Sequence, residues 1–404
     1  MRDLTLRGRC FLAAGVAAVL CGIQVGERDF VRMGLLALAV PLLAWLLVRR
    51  TPRTVWVRRN LSSLRVEAGG TAQVAVALGN DGRTTGRLLV EERLPEELGS
   101  RRSFVVDPLP TGGRTSLDYL IRTSARGRFP IGPVTVHVAD PLGMVDLEQE
   151  LDSRDSLLVT PRTVPLPRIP LTGRWAGSGD NRARELLGGG SPDVTIREYR
   201  VGDDLRRIHW PSSARNDELM VRREEQEWQL RCTLLLDHRL ANHRGRGVDS
   251  SWEAAVSAAA SLVQHLSAQG FEVRLVTAAG GGAAPGWHGG SQALGVHEQL
   301  ERLAVLAGTR QHTLATDWVD ESQHGGLLLA VLGDLDDADR RTLGRLAAAG
   351  DAAYSVVLDV DSWGRTPAVA GRTTATADLR RHGWRAATLA RGGSLGATWQ
   401  ELGR

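Results

Sequence analysis

A chain of 404 residues is long enough for two or three domains, each with its own core. Its net charge of +4 is small against 50 basic and 46 acidic residues, and these are interspersed without a like-charge block, so no nucleic-acid-binding arm is expected. Every basic residue is Arg and none is Lys, which excludes a Walker A loop, a protein-kinase core, a pyridoxal Schiff base and a Ser-Lys dyad, since each requires that amine.

Residues 11–25 are apolar apart from Gln24, and residues 33–48 are apolar throughout, with Gly26-Glu27-Arg28-Asp29 between them. The pattern predicts a two-helix membrane hairpin over residues 1–50. Each run falls short of the roughly 20 residues that span a bilayer, so flanking residues must contribute. Arg2, Arg7 and Arg9 precede the first run, and Arg49, Arg50, Arg53, Arg58 and Arg59 follow the second. In the turn, Arg28 and Arg32 are offset by Glu27 and Asp29, so both ends and the bulk of the chain are expected in the cytoplasm. A cleaved signal peptide is the rival, with residues 2–9 as its basic region and residues 11–20 as its apolar one, yet the second run would still anchor the chain. Leu20 stands where a lipoprotein site at Cys21 wants a small residue, and Trp45 suits a membrane-interface anchor. Cys10, Cys21 and Cys232 give no CxxC pair and no zinc spacing, which fits a reduced compartment.

Residues 51–160 read as all-β. Stretches 64–67, 72–78 and 87–91 alternate apolar and polar, and Gly69-Gly70, Asn80-Asp81-Gly82 and Thr111-Gly112-Gly113 punctuate them as turns. Further strands are expected at 116–123 and 134–139, giving an immunoglobulin-like sandwich. Arg126-Gly127-Arg128-Phe129, Gly132-Pro133 and Asp140-Pro141-Leu142-Gly143 are read as turn chemistry with a structural role. Residues 161–190 are rich in Pro and Gly and read as a linker or lid.

The segment 161–229 ends in the most informative stretch: Arg197-Glu198-Tyr199-Arg200-Val201-Gly202-Asp203-Asp204-Leu205-Arg206-Arg207-Ile208-His209-Trp210, then Ser213-Ala214-Arg215 and Leu219-Met220-Val221, with Glu227 as a late acid. It resembles the signature of the domain of unknown function 58 family, roughly R-E-Y-x-x-G-D-D-x-R-x-I-x-W followed by S-A-R. The resemblance implies an adaptor or scaffold that partners a MoxR-type AAA+ ATPase and, in some members, a transglutaminase-like membrane protein. No cofactor is expected. The residues themselves allow three readings. In an ionic clasp, Glu198, Asp203, Asp204 and Glu227 pair with Arg197, Arg206, Arg207 and Arg215, with Tyr199 and Trp210 packed behind, and Gly202 is a further residue of the signature. Turned outward, the same Arg and Trp residues form a protein-binding surface. A hydrolase would use His209 with Asp203 or Asp204 and Ser212 or Ser213, with Asp237 as a metal ligand, although no Gly-x-Ser-x-Gly elbow surrounds either serine.

Over residues 230–404 the period changes. Apolar strands at 230–236, 272–277, 327–332 and 354–360 alternate with helices at 252–269, 296–307 and 337–349, followed by segments 384–389 and 394–402. This predicts a parallel sheet covered on both faces, similar to a von Willebrand factor A-like α/β domain. Asp237, Asp334 and Asp359 fall at strand ends, where such domains hold Mg²⁺. The family-type motif is Asp-x-Ser-x-Ser, and here it reads Asp237-His238-Arg239-Leu240-Ala241. Arg239 would bring a cation into the metal's place, so Asp237 and Asp334 are weak metal candidates and a pairing of Asp237 with an Arg is the alternative.

Overall fold

The computed structural model describes residues 4–50, 55–139, 142–171, 194–198, 210–216, 218–224, 231–280, 288–289, 293–315, 327–350, 352–364 and 375–404. The chain divides into two compact units. The first comprises residues 1–164 with 245–261 and 297–308; the second comprises 165–244, 262–296 and 309–404.

The first unit begins with α1 (Leu6–Val25) and α2 (Arg28–Arg50). Thr5 caps α1 with its hydroxyl, and Gly26 ends it at a positive φ of 79°, a conformation that favours glycine. Both helices are longer than the apolar runs alone, and both are long and apolar enough to cross a membrane. Gly15 and Gly34 sit where the helices touch: a Cβ on Gly34 would lie 2.8 Å from the Gly15 carbonyl. Ten strands follow: β1 (Val55–Leu61), β2 (Arg65–Glu67), β3 (Thr71–Asn80), β4 (Leu88–Glu92), β5 (Arg102–Val106), β6 (Arg114–Arg122), β7 (Gly127–Ile131), β8 (Val134–Ala139), β9 (Asp146–Leu151) and β10 (Asp155–Thr160). They form sheets ordered β1-β3-β6, β2-β10-β7 and β5-β4-β8-β9. Alternation in β3 turns Ala72, Val74, Val76 and Leu78 into a core shared with Leu88, Val90, Ile121, Val136 and Leu157. At its edge the side chain of Arg59, fully buried, reaches Glu92 and Asp155 (2.8 Å), and Tyr119 donates its hydroxyl to Glu92.

The second unit holds β11 (Val194–Glu198), α3 (Trp210–Asn216) and β12 (Met220–Glu224), then β13 (Arg231–Leu236). Helix α4 (Ser251–Ala268) contributes residues to both units, as does α5 (Ala293–Val305). The remaining elements are β14 (Glu272–Thr277), β15 (His288–Gly289), β16 (Leu327–Leu332), α6 (Asp337–Ala349), β17 (Ala352–Leu358), α7 (Ala375–Arg381), β18 (Arg385–Leu389) and α8 (Leu395–Leu402). Strand order is β15-β14-β13-β16-β17-β18, parallel throughout except for β15 at one edge. Leu235, Val276, Leu332, Leu343, Leu379 and Trp384 form the core of this unit. The continuous apolar runs of β13 and β16 are explained by burial on both faces.

Two stretches read from sequence as turn or spacer chemistry carry side-chain contacts instead. Within the first unit, Arg126 donates to the carbonyls of Leu303 (2.9 Å) and Leu306 (2.6 Å) at the end of α5, pairs with Glu253, and lies 5.1 Å from the Trp252 ring centre. The Pro-rich residues 161–171 are equally engaged. Ser257 donates to the Arg162 carbonyl, and Ser261 accepts from Val164 N–H at 3.0 Å. In the second unit, Trp399 donates its indole N–H to the Pro167 carbonyl at 3.0 Å.

Candidate functional site

In an open parallel sheet, ligands bind beyond the carboxyl ends of the strands, where the strand order reverses. Here the reversal lies between β13 and β16, because β14 follows β13 on one side and β17 follows β16 on the other. Asp237 is the first residue past β13. Its N–H continues the ladder to Val331 O (3.0 Å), and its carboxylate is fully buried at that crevice.

The crevice is filled by the protein itself. Arg239, 1 % exposed, folds back so that Nε and Nη2 each donate to one oxygen of Asp237 at 2.9 Å. Nη1 and Nη2 donate to the two oxygens of Asp339 at 2.8 and 2.9 Å, and Nη1 also donates to His312 O at 2.8 Å. All five guanidinium N–H groups are therefore used. The carboxylate of Asp237 further accepts from the Arg239 N–H (3.1 Å) and from Asn242 (3.0 Å), while His243 Nε2 lies 2.9 Å from the Asp237 carbonyl. Asp339 is held by a capping box at the start of α6, where its N–H meets Asp336 at 2.8 Å. That helix start also favours its negative charge. Burial opposes the charge on Arg239, but the hydrogen bonds and charges of Asp237 and Asp339 outweigh it and hold the guanidinium's pKa above its ordinary value. Burial, first among the causes, lowers the pKa of both His238 and His243 below the ordinary 6.5.

Asp237 thus pairs with Arg239, the alternative left open by its sequence motif. Asp334 does not share this cluster: its carboxylate accepts from Leu335 N–H (3.1 Å) and faces Arg244 at 3.9 Å. Its N–H donates to Asn242 O at 2.9 Å, and Gly333 is pressed against that same carbonyl, leaving no room for a Cβ. Asp359, at the end of β17, is exposed. Among the described residues, no group of three His, Cys, Asp or Glu side chains is placed to hold a metal ion. Asp339 escaped the sequence reading because it stands a hundred positions from Arg239. Its signal was the acidic run Asp336-Asp337-Ala338-Asp339 opening a predicted helix.

Of the signature residues, Arg197 and Glu198 lie in β11, in register with Val221 and Met220 of β12. Ser213, in α3, accepts from Met220 N–H at 2.8 Å, which ties the helix to the strand. Arg215 is exposed, and Trp210 is 67 % exposed. Tyr199, Gly202, Asp203, Asp204, Arg206, Arg207, His209 and Glu227 lie outside the described residues.

Residues 195–326 match the family model described as protein of unknown function DUF58. No curated protein matches the chain. Solved structures with similar portions include the CARDB domain of the PF1109 protein from Pyrococcus furiosus in complex with di-metal ions. It is 18 % identical, covering 26 % of this chain and 91 % of that one, at a TM-score of 0.20. The sporulation control protein Spo0M from Bacillus subtilis is 12 % identical over 27 % of this chain and 50 % of its own, at 0.16.

Proposed function

We propose, from the premise that this chain belongs through residues 195–326 to the DUF58 family, that it is a membrane-anchored adaptor rather than an enzyme. In this reading α1 and α2 cross the membrane, the bulk of the chain is cytoplasmic, and the α/β unit with its signature engages a MoxR-type AAA+ ATPase. A transglutaminase-like membrane protein is a further partner. The α/β unit is read as a von Willebrand factor A-like domain whose ligand position has been given over to an internal cation. One observation carries the proposal: Arg239 fills the crevice at the strand reversal with every donor spent on Asp237, Asp339 and His312. A side chain committed in this way has no donor left for substrate, and it occupies the place that an open coordination position needs. Recognition then falls to the protein surface, where the exposed Trp210 and Arg215 are of the residue types that dominate binding hot spots. The test is binding of the full chain, held in lipid nanodiscs, to the MoxR-type ATPase of the same cell, with and without ATP and Mg²⁺. Nucleotide-dependent binding that weakens at least tenfold in a folded Trp210→Ala variant is the expected result. Absence of binding in every nucleotide state overturns the partner assignment, and unchanged binding in the variant removes α3 from the interface.

A further inference from the structure

Within the first unit, the paired helices meet the loop between β8 and β9. Thr5 N–H donates to Met144 O at 3.0 Å, its hydroxyl donates to Gly143 O at 2.7 Å, and Leu4 bridges Val145. Gly8 lies so close to the Met144 carbonyl that a Cβ there would collide. From α2, Ala44 is buried with Met144 and Val145, and Val40 and Trp45 pack on the same cluster. The loop is therefore fixed to both helices at one level, and Leu142 beside it is 57 % exposed.

The height of that level follows from helix geometry. Gly8 precedes Gly26 by eighteen positions, about 27 Å at 1.5 Å per residue, and Ala44 follows Arg28 by sixteen, about 24 Å. A bilayer's hydrocarbon core is about 30 Å thick. With the Gly26 turn at the far boundary, residues 142–145 come to the near boundary of the hydrocarbon. Most outward residues between the two levels are apolar and exposed, among them Leu20, Ile23, Leu35, Leu36 and Leu42. The exposed polar residues Gln24, Asp29 and Arg32, the last two paired at 3.0 Å, stand within about two turns of the far level. At the near level stand exposed Arg7 and Arg9 and the aromatic Trp45, the residue types that mark the headgroup layer.

We propose that residues 142–145 are a second membrane contact, resting on the membrane-anchored reading above. Leu142 inserts into the interfacial layer of the leaflet that the helix ends occupy, with Arg7 and Arg9 toward lipid phosphates. The β-rich part then lies directly on the bilayer surface instead of hanging from a tether. The test uses the full chain in nanodiscs of phosphatidylcholine with phosphatidylglycerol, spin-labelled at one cysteine at a time with the other native cysteines changed to Ala. The labelled positions are Leu142→Cys, native Cys21 on α1, and Asp152→Cys at the opposite end of β9. The readout is the ratio of collisions with oxygen to collisions with a water-soluble nickel chelate. The expected result is a ratio several-fold higher at 142 than at 152, approaching that at 21. A ratio at 142 equal to that at 152, with 21 still lipid-like, overturns the contact and leaves the hairpin in place. A water-like ratio at 21 overturns the membrane reading and this inference with it.

Discussion

Arg239→Met removes the guanidinium while keeping an unbranched side chain of similar reach. It leaves the carboxylates of Asp237 and Asp339, 0 % and 4 % exposed, without their countercharge. Deleting one partner of a buried ion pair costs about 3–5 kcal/mol, because the remaining charge stays out of water. Here two carboxylates are orphaned, but Asp237 keeps the Arg239 N–H and the Asn242 amide, and Asp339 keeps the start of α6. Those contacts argue for the middle of that range rather than its top. Because the chain has two units, a single unfolding midpoint would mix them. Native-state hydrogen exchange of peptides covering β13 and β16 reads the local effect. Since about 1.4 kcal/mol is a factor of ten, exchange there should accelerate between roughly a hundredfold and a few thousandfold. The triple variant Arg239→Met, Asp237→Asn, Asp339→Asn removes all three charges and should recover more than half of the loss, as replacement of whole buried ion clusters by neutral groups is often near neutral. Acceleration below about fivefold, under 1 kcal/mol, would mean that the cluster behaves as a solvated surface pair and would refute the account of the crevice as closed.

Three further outcomes are expected. His243 and His238 are held below 6.5 by burial, so each contributes stability that is complete above 6.5 and is lost as pH falls, because the unfolded chain takes up protons there first. Native-state hydrogen exchange of β13 peptides at pH 7.5 and 5.5, corrected for intrinsic exchange rates, should therefore show a loss of local stability, up to about 1.4 kcal/mol per histidine for each pH unit, that shrinks in His243→Asn. Arg126→Met should cost about 1.5–3 kcal/mol by removing charge-assisted hydrogen bonds to two carbonyls, seen as faster hydrogen exchange in the last turn of α5 with β13 unchanged. Gly34→Val places a Cβ against the backbone of Gly15 and Val19, atoms that cannot swing aside; overpacking of about 1–3 kcal/mol should speed hydrogen exchange of peptides from α1 and α2 in detergent.

What the sequence made legible follows from the range over which each signal acts. The bounds of β14 (Glu272–Thr277), β16 (Leu327–Leu332) and α6 (Asp337–Ala349) match the reading residue for residue; burial on both faces writes an unbroken apolar run in β16, and α6 writes its own capping acids at its start. Strand β9 (Asp146–Leu151) escaped: with Asp146, Glu148 and Glu150 on its outer face it is half charged, and it pairs only with β8 at the sheet's edge. Strand β7 (Gly127–Ile131) carries Pro130, which argues against a strand in isolation yet is tolerated at a sheet edge. The site divides in the same way. The local motif already put Arg239 where a hydroxyl ligand was expected, two residues from Asp237. It could not supply Asp339, which arrives from the first turn of a helix packed by chain reversal, nor the carbonyl of His312 that takes the last guanidinium proton. Neither carboxylate alone uses all of the guanidinium donors; it is the second one, distant in sequence, that turns a local pair into a closed crevice. A bare Asp237–Arg239 pair would leave three donors free for an anionic ligand, so the functional reading changes sign on a residue that local pattern gave no reason to place there.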